Sequence, residues 1–181
     1  TPVQITGVSI TVDGETYTKG NVTITPDSTV ILTVTGTNLQ NGTEDHRVGY
    51  ADGLSVPVKP DYFEINEDGT VATFALSAAD FARSVNFEIK YYNNYTDVGN
   101  RTEVSTGIYV TYDDGIAEED QARITGVSIT VDGVTYTEGE VTITPDTQSI
   151  IYTVTGTNFA NLSADNYLRF APGYGDHLKS G

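Results

Sequence analysis

The sequence predicts an all-β protein: one complete β-sandwich module followed by the truncated first half of a second copy. Two observations carry this reading. A block of sequence recurs almost unchanged, and within each copy apolar residues alternate with polar ones at the period of two that a half-buried strand requires. ITGVSITVDGETYTKGNVTITPD at Ile5–Asp27 returns 119 positions later as ITGVSITVDGVTYTEGEVTITPD at Ile124–Asp146. The copies differ there only at Glu15/Val134, Lys19/Glu138 and Asn21/Glu140. After one extra residue in the second copy, VILTVTGTNLQN (Val30–Asn41) matches IIYTVTGTNFAN (Ile150–Asn161). The likeness persists into Tyr50-Ala51-Asp52-Gly53 against Phe170-Ala171-Pro172-Gly173. A unit of this length is an ordinary single domain. Counterparts of residues 62–112 do not occur in the second copy. The predicted organisation is therefore a module at 1–113, an acidic linker at 114–123 and a half-module at 124–181.

The elements follow in chain order. Val8, Ile10 and Val12 alternate with Ser9, Thr11 and Asp13, and Asp13-Gly14 supplies a turn. Val22 and Ile24 form the next inward pair, ended by Thr25-Pro26-Asp27 because proline cannot donate to a strand ladder. Val30, Leu32 and Val34 line one face of a third strand, closed by Gly36-Thr37-Asn38; Ile150, Tyr152 and Val154 take these places in the second copy. Further strands are predicted near Arg47–Ala51, Ser55–Val58, Tyr62–Ile65 and Thr70–Leu76, with Asn66-Glu67-Asp68-Gly69 as the hairpin turn between the last two. Ser77–Arg83 is the one helical-looking piece, with Ser77 placed to cap it and an acid three residues on. Val85, Phe87, Ile89 and Tyr91 then read as inward positions of a strand, and Glu103–Tyr112 as the last one.

The opening ITGVSITVDG resembles the tandem bacterial immunoglobulin-like (Big-type) domains of cell-surface proteins. VTGTNLQN and VTGTNFAN resemble the Gly-x-Asn-Phe strand ending of the IPT/TIG branch of that fold. The resemblance implies an immunoglobulin-like β-sandwich, an extracellular or cell-surface location, and neighbouring modules of the same chain as partners. The antibody-type branch is excluded, because there is no Cys and no Trp.

Charge removes whole classes of function. Lys and Arg total 9 against 25 Asp and Glu, a net charge of −16, so no basic stripe exists to neutralise phosphates and nucleic-acid binding is not expected. No apolar run approaches the length of a membrane span, so no membrane insertion is expected. Residue 1 is Thr and no secretory leader stands ahead of it; the expectation is a mature or excised stretch. The chain has no nucleophile-elbow, zinc-helix or phosphate-loop motif. Its two histidines, His46 and His177, face Asn166 and Pro57 of the other copy and so lie outside the repeated framework. The reading is not an enzyme.

Three features remain as candidate chemistry. In Tyr91-Tyr92-Asn93-Asn94-Tyr95, an inward Tyr91 turns Tyr92 outward and leaves Tyr95 in the following loop. Tyr92, Asn93, Asn94 and Tyr95 are the candidate ligand-binding residues, with rings to stack on a sugar or a host protein and amides to bond its polar groups. Asp113, Asp114, Glu118, Glu119 and Asp120 crowd the stretch between the copies, which reads as a self-repelling, extended linker. Calcium is the candidate cofactor, and these five acids its candidate ligands, since a hard cation takes several oxygens. A Lys–Asn cross-link needs a buried lysine, and Lys19 and Lys90 both read as solvent-facing. Asn-x-Ser/Thr sequons stand at Asn21, Asn41, Asn94, Asn100 and Asn161.

The expected function is a non-catalytic stalk or spacer module of a bacterial cell-surface or secreted protein, with adhesive binding to a glycan or host protein as its variant. The alternatives are a fibre or virion-decoration subunit completed by strand exchange, and an accessory domain of a carbohydrate-active enzyme.

Overall fold

The computed structural model describes residues 1–163 and 165–178. Ala164 and residues 179–181, part of the predicted half-module, lie outside the described residues. The chain divides into two units, Thr1–Gly115 and Ile116–Gly181. The acidic stretch from residue 116 onward thus belongs to the second unit.

In the first unit, β1 (Gln4–Val12) turns at Asp13-Gly14 into β2 (Glu15–Tyr17). Both turn residues have positive φ, 50° and 86°, which is the backbone that Asp-Gly adopts in a tight hairpin. The Asp13 carboxylate also accepts the Thr29 N–H at 2.8 Å, fixing the turn to the approach of β4 (Val30–Thr37). Then β3 (Gly20–Ile24) precedes β4, and β5 (Arg47–Ala51), β6 (Leu54–Pro57), β7 (Glu64–Ile65) and β8 (Val71–Leu76) follow it. The unit ends with β9 (Phe87–Tyr92) and β10 (Val104–Tyr112).

These strands form two five-stranded sheets, ordered β2-β1-β4-β8-β7 and β3-β10-β9-β5-β6. Ile10, Leu32 and Val34 of one sheet and Ile24, Val48, Ile89 and Val110 of the other are fully buried in one core. The molecule is all-β with several sheets, consistent with a β-sandwich. Gly36 lies where β4 passes β1, and a Cβ there would overlap the Gln4 carbonyl oxygen; Gly156 meets the Arg123 carbonyl in the same way.

Two local expectations are corrected. Val85 does not point inward but is 78% exposed, because Asn86 has φ 49° and resets the chain before β9 begins at Phe87. Ser84 is buried instead, and its hydroxyl accepts the Asp52 N–H at 3.0 Å. Ser77 precedes a 3-10 turn, Ala78–Phe81, but makes no side-chain cap. That turn is held by burial of the Phe81 ring edge-on to Tyr50, with centroids 5.9 Å apart.

The second unit contains β11 (Arg123–Val131), β12 (Val134–Tyr136) and β13 (Ile150–Thr157) in one sheet, and the hairpin β14 (Tyr167–Ala171)–β15 (Tyr174–His177). Its β11–β13 register repeats that of β1–β4: Ile129 stands opposite Tyr152 as Ile10 stands opposite Leu32, and the register slips between Ile124 and Gly126 as it does between Ile5 and Gly7. One repeated segment behaves differently. Val22–Asp27 and Val141–Asp146 are both VTITPD, yet the first copy is strand β3 through Ile24 and the second has no strand there. Among the described residues β3 pairs with β10 alone, in parallel. Among the described residues of the second unit no counterpart of β10 exists, so the backbone donors and acceptors of 139–143 have no ladder to join.

Candidate functional site

The loop between β9 and β10 emerges from a hairpin whose register shifts between Ser105 and Tyr109. It contains three of the four predicted ligand residues, and Tyr92 ends the strand before it. The structure puts them to different uses.

The Asn93 amide is spent inside the fold. Its oxygen accepts the Ile5 N–H at 2.7 Å and its nitrogen donates to the Ile5 carbonyl at 3.1 Å. Ile5 sits at the bulge of β1, where the register slips between Ile5 and Gly7. Asn93 therefore stands in for a missing strand neighbour and ties the β9 sheet to the β1 sheet. Tyr91 adds a second tie, its hydroxyl donating to the Thr6 carbonyl at 3.3 Å. Asn94 braces its own loop, donating to the Asn100 carbonyl at 2.8 Å and accepting the Thr102 N–H at 3.0 Å. Both amides were expected to face a ligand. Both bond backbone instead, because a loop leaving a sheet must satisfy its own N–H and C=O groups.

Tyr92 and Tyr95 are half-buried, in company the sequence did not reveal. Their rings meet edge to face with centroids 5.0 Å apart. The Arg101 guanidinium lies 3.7 Å from the Tyr95 centroid and that of Arg47 lies 5.0 Å from it. Arg101 also donates to the Tyr95 carbonyl at 2.6 Å, which fixes its stem. From this stack the contacts run outward both ways. Tyr92 donates its hydroxyl to Glu103 at 3.0 Å, and Lys90 reaches the other Glu103 oxygen at 2.9 Å. Arg47 and Lys59 share Glu44, each at 2.8 Å. Four of the chain's nine Lys and Arg thus gather on one aromatic face of a strongly acidic protein. Beside it runs a shallow groove lined by Gly49, Asn86, Phe87, Lys90, Tyr92 and Glu103.

The carboxylates of this face are tuned by their donors. Glu103 is held below the usual range, first by the hydrogen bond from Lys90 and then by that from Tyr92. Glu44 is lowered by Lys59, and Asp45 by the Thr96 hydroxyl and amide. Burial, and next the bond to Glu103, push the Tyr92 phenol upward. A carboxylate whose folded pKa lies below its unfolded value of about 4 stabilises fully above that value. The contribution is lost as pH falls through the lowered folded pKa. Acidification below about pH 4 should therefore release the loop, read as faster intrinsic-rate-corrected exchange of the Thr96 amide, which donates to Asp45. Melting temperature is the wrong readout, because protonation also relieves the repulsion of a −16 chain. Protection of Thr96 that persisted to about pH 2 would contradict this.

The five acids expected to bind calcium are divided between the two units. Asp113 and Asp114 belong to the first unit, and Glu118, Glu119 and Asp120 to the second. Asp113 accepts the Gly115 N–H at 2.9 Å. Glu118–Asp120 form a 3-10 turn rather than part of an extended linker. That turn is clamped by side chains at and just after the strand ending VTGTN: Asn158 donates to the Glu119 carbonyl at 3.0 Å, and Asn161, in the 3-10 turn that follows, to the Asp120 carbonyl at 2.9 Å. Asn38 holds the Thr1 carbonyl in the same manner at 2.9 Å. Both Asn38 and Asn158 have φ 56°, a left-handed backbone that Asn tolerates, and this explains the residue type. Among the described residues no three His, Asp or Glu stand close enough to hold a metal ion. His46 accepts the Thr43 N–H through Nδ1, as Asn166 accepts that of Ser163, so both close the same turn. Lys19 is exposed and Lys90 is paired with Glu103.

Arg47, Arg101, Glu44 and Glu103 escaped the sequence reading because two segments distant in sequence, 44–47 and 101–103, meet only in the fold. Spacing carries no signal for that. The fold and this face define an all-β protein that presents a Tyr–Arg surface on its first unit. Among the described residues no helix is long and apolar enough to cross a membrane. No known family model, curated protein or solved structure matches the chain.

Proposed function

We propose that the chain is a stretch of non-catalytic, immunoglobulin-like repeat modules from a bacterial cell-surface or secreted protein, serving as a spacer that also carries an adhesive face. One observation supports the spacer role above others: the near-identical residues of the two copies serve the framework. Asp13 and Asp132 make the same hairpin turn, and Asn38 and Asn158 make the same grip on the segment ahead of each unit's first strand. Repetition of a framework with its entry clamp is what a serial array of modules requires.

The adhesive role rests on Tyr92, Tyr95, Arg47 and Arg101, which lie outside the repeated block. Tyr and Arg dominate protein-contact hot spots. With the Asn amides withdrawn, a protein is the first partner and a glycan the second. Changing Tyr92 and Arg101 together to alanine should weaken adhesion at least about 30-fold on a host-protein or glycan array. Unchanged binding would dismiss the adhesive face and leave the spacer. The spacer role is checked separately: replacing the first module with an unrelated sandwich of equal length should preserve surface display of the part beyond it.

A further inference from the structure

Four cations meet on the Tyr92–Tyr95 face, and three of them are neutralised there: Arg47 and Lys59 by Glu44, and Lys90 by Glu103. Arg101 is the fourth. Among the described residues no carboxylate lies within ion-pair distance of it. Its one hydrogen bond among them runs from Nε to the Tyr95 carbonyl, which leaves the N–H groups of both terminal nitrogens for a ligand. The exposed guanidinium is nonetheless fixed, since that bond holds its base and the Tyr95 centroid lies 3.7 Å from it. An arginine oriented in advance loses little further rotamer freedom on binding, and its planar fork matches the two oxygens of a carboxylate.

Next to this stack the sheet is bare. Gly49 stands opposite Lys90 in the β5–β9 ladder, and a Cβ at Gly49 would meet only the Lys90 carbonyl, at 3.9 Å. Phe87 and Val85 border the slot, and Val85 is 78% exposed. Tyr92 joins the two features: it lines the slot, and its ring centroid lies 6.0 Å from the Arg101 guanidinium. Asn93 and Asn94, the amides that could read sugar hydroxyls, are spent on backbone. The chain carries a net charge of −16, yet at physiological salt exposed charges are screened beyond about 8 Å, so the fork governs contacts at its own surface.

Resting on the adhesive role of this face, we infer that its partner is an acidic segment of another protein. An aspartate or glutamate of that segment places its carboxylate on the terminal nitrogens of Arg101, and a neighbouring apolar side chain enters the slot at Gly49. The charge-assisted bidentate pair sets the orientation, and the slot adds apolar burial.

The test pans a random dodecapeptide library against the full chain and measures the enriched peptides one by one. They should carry Asp or Glu beside Leu, Ile or Phe. Their affinity should fall at least about tenfold when that acid becomes Asn or Gln, a change that leaves the chain itself untouched. R101Q and R101K should weaken them as far, since lysine lacks the planar fork. G49V, at a strand position with room for a side chain, should weaken them about threefold or more by filling the slot. Peptides that need Tyr92 yet bind R101Q as well as the parent chain overturn the acidic partner and leave the adhesive face standing. If neither Y92A nor R101Q weakens any enriched peptide, both readings fall. Unchanged affinity in G49V also overturns the inference. Oligogalacturonate that shifts the Arg101 Nε resonance at lower concentration than the best peptide overturns it in favour of an acidic glycan.

Discussion

Ile10→Ala should destabilise the first unit by about 3–4 kcal/mol, whereas Ile129→Ala should cost the second unit less than about 1 kcal/mol. The two isoleucines occupy the same place in identical ITGVSITV segments and in the same ladder register. Only their surroundings differ. Ile10 is fully buried between two sheets, so truncation loses the transfer energy of the removed methyl groups and leaves a cavity that packed neighbours cannot fill. Ile129 is half-buried on an open face, where water reaches the vacated space and no cavity term arises. Denaturation followed unit by unit, through amide exchange of β1 and β11, reads both costs in each variant. Equal losses would mean that the second unit's face is covered in solution.

The second large effect is expected from Asn93→Ala. The change removes two hydrogen bonds and leaves both the N–H and the C=O of Ile5 without a partner at a β1 bulge. Ile5 is almost wholly buried, so water does not readily replace the amide. An unsatisfied buried pair of this kind costs about 2–3 kcal/mol, a fall in melting temperature on the order of 10 °C for a unit of this size. Asn94→Ala, whose two bonds are exposed, should cost less than about 1 kcal/mol. If the two variants melted alike, Asn93 would be a surface residue after all. Adhesion, by contrast, should survive Asn93→Ala in whatever fraction remains folded, which separates this structural role from that of Tyr92.

The strands were largely legible because alternation is a local signal. Val8, Ile10 and Val12, or Val30, Leu32 and Val34, announce a buried face without reference to anything else in the chain. Arg47–Ala51 was placed at its observed bounds, and the Asn66–Gly69 turn at its observed position. Val85 failed for an equally local reason: one residue at positive φ, Asn86, put the preceding position out of phase. The site was less legible. Tyr92 and Tyr95 stood out by type, but the guanidiniums that flank Tyr95 come from β5 and from the far end of the loop. Asn93 looked like a free amide because its partner lies 88 residues earlier.

The sequence by itself determined the repeat, the period-two faces, the Asp-Gly turns and the Asn that ends the third strand of each copy. All of these follow from side-chain type and neighbouring backbone, which the two copies share. The tertiary structure alone decided that VTITPD is a strand at 22–27 through Ile24 and none at 141–146. It alone decided that Ile10 is sealed while Ile129 is half open, and that the acidic turn at Glu118–Asp120 is gripped rather than extended. A strand is a pairing, not a property of its residues: its backbone groups need a ladder and its apolar face needs a cover. In the first unit β8 and β10 provide both; among its described residues the second unit has no counterpart of either.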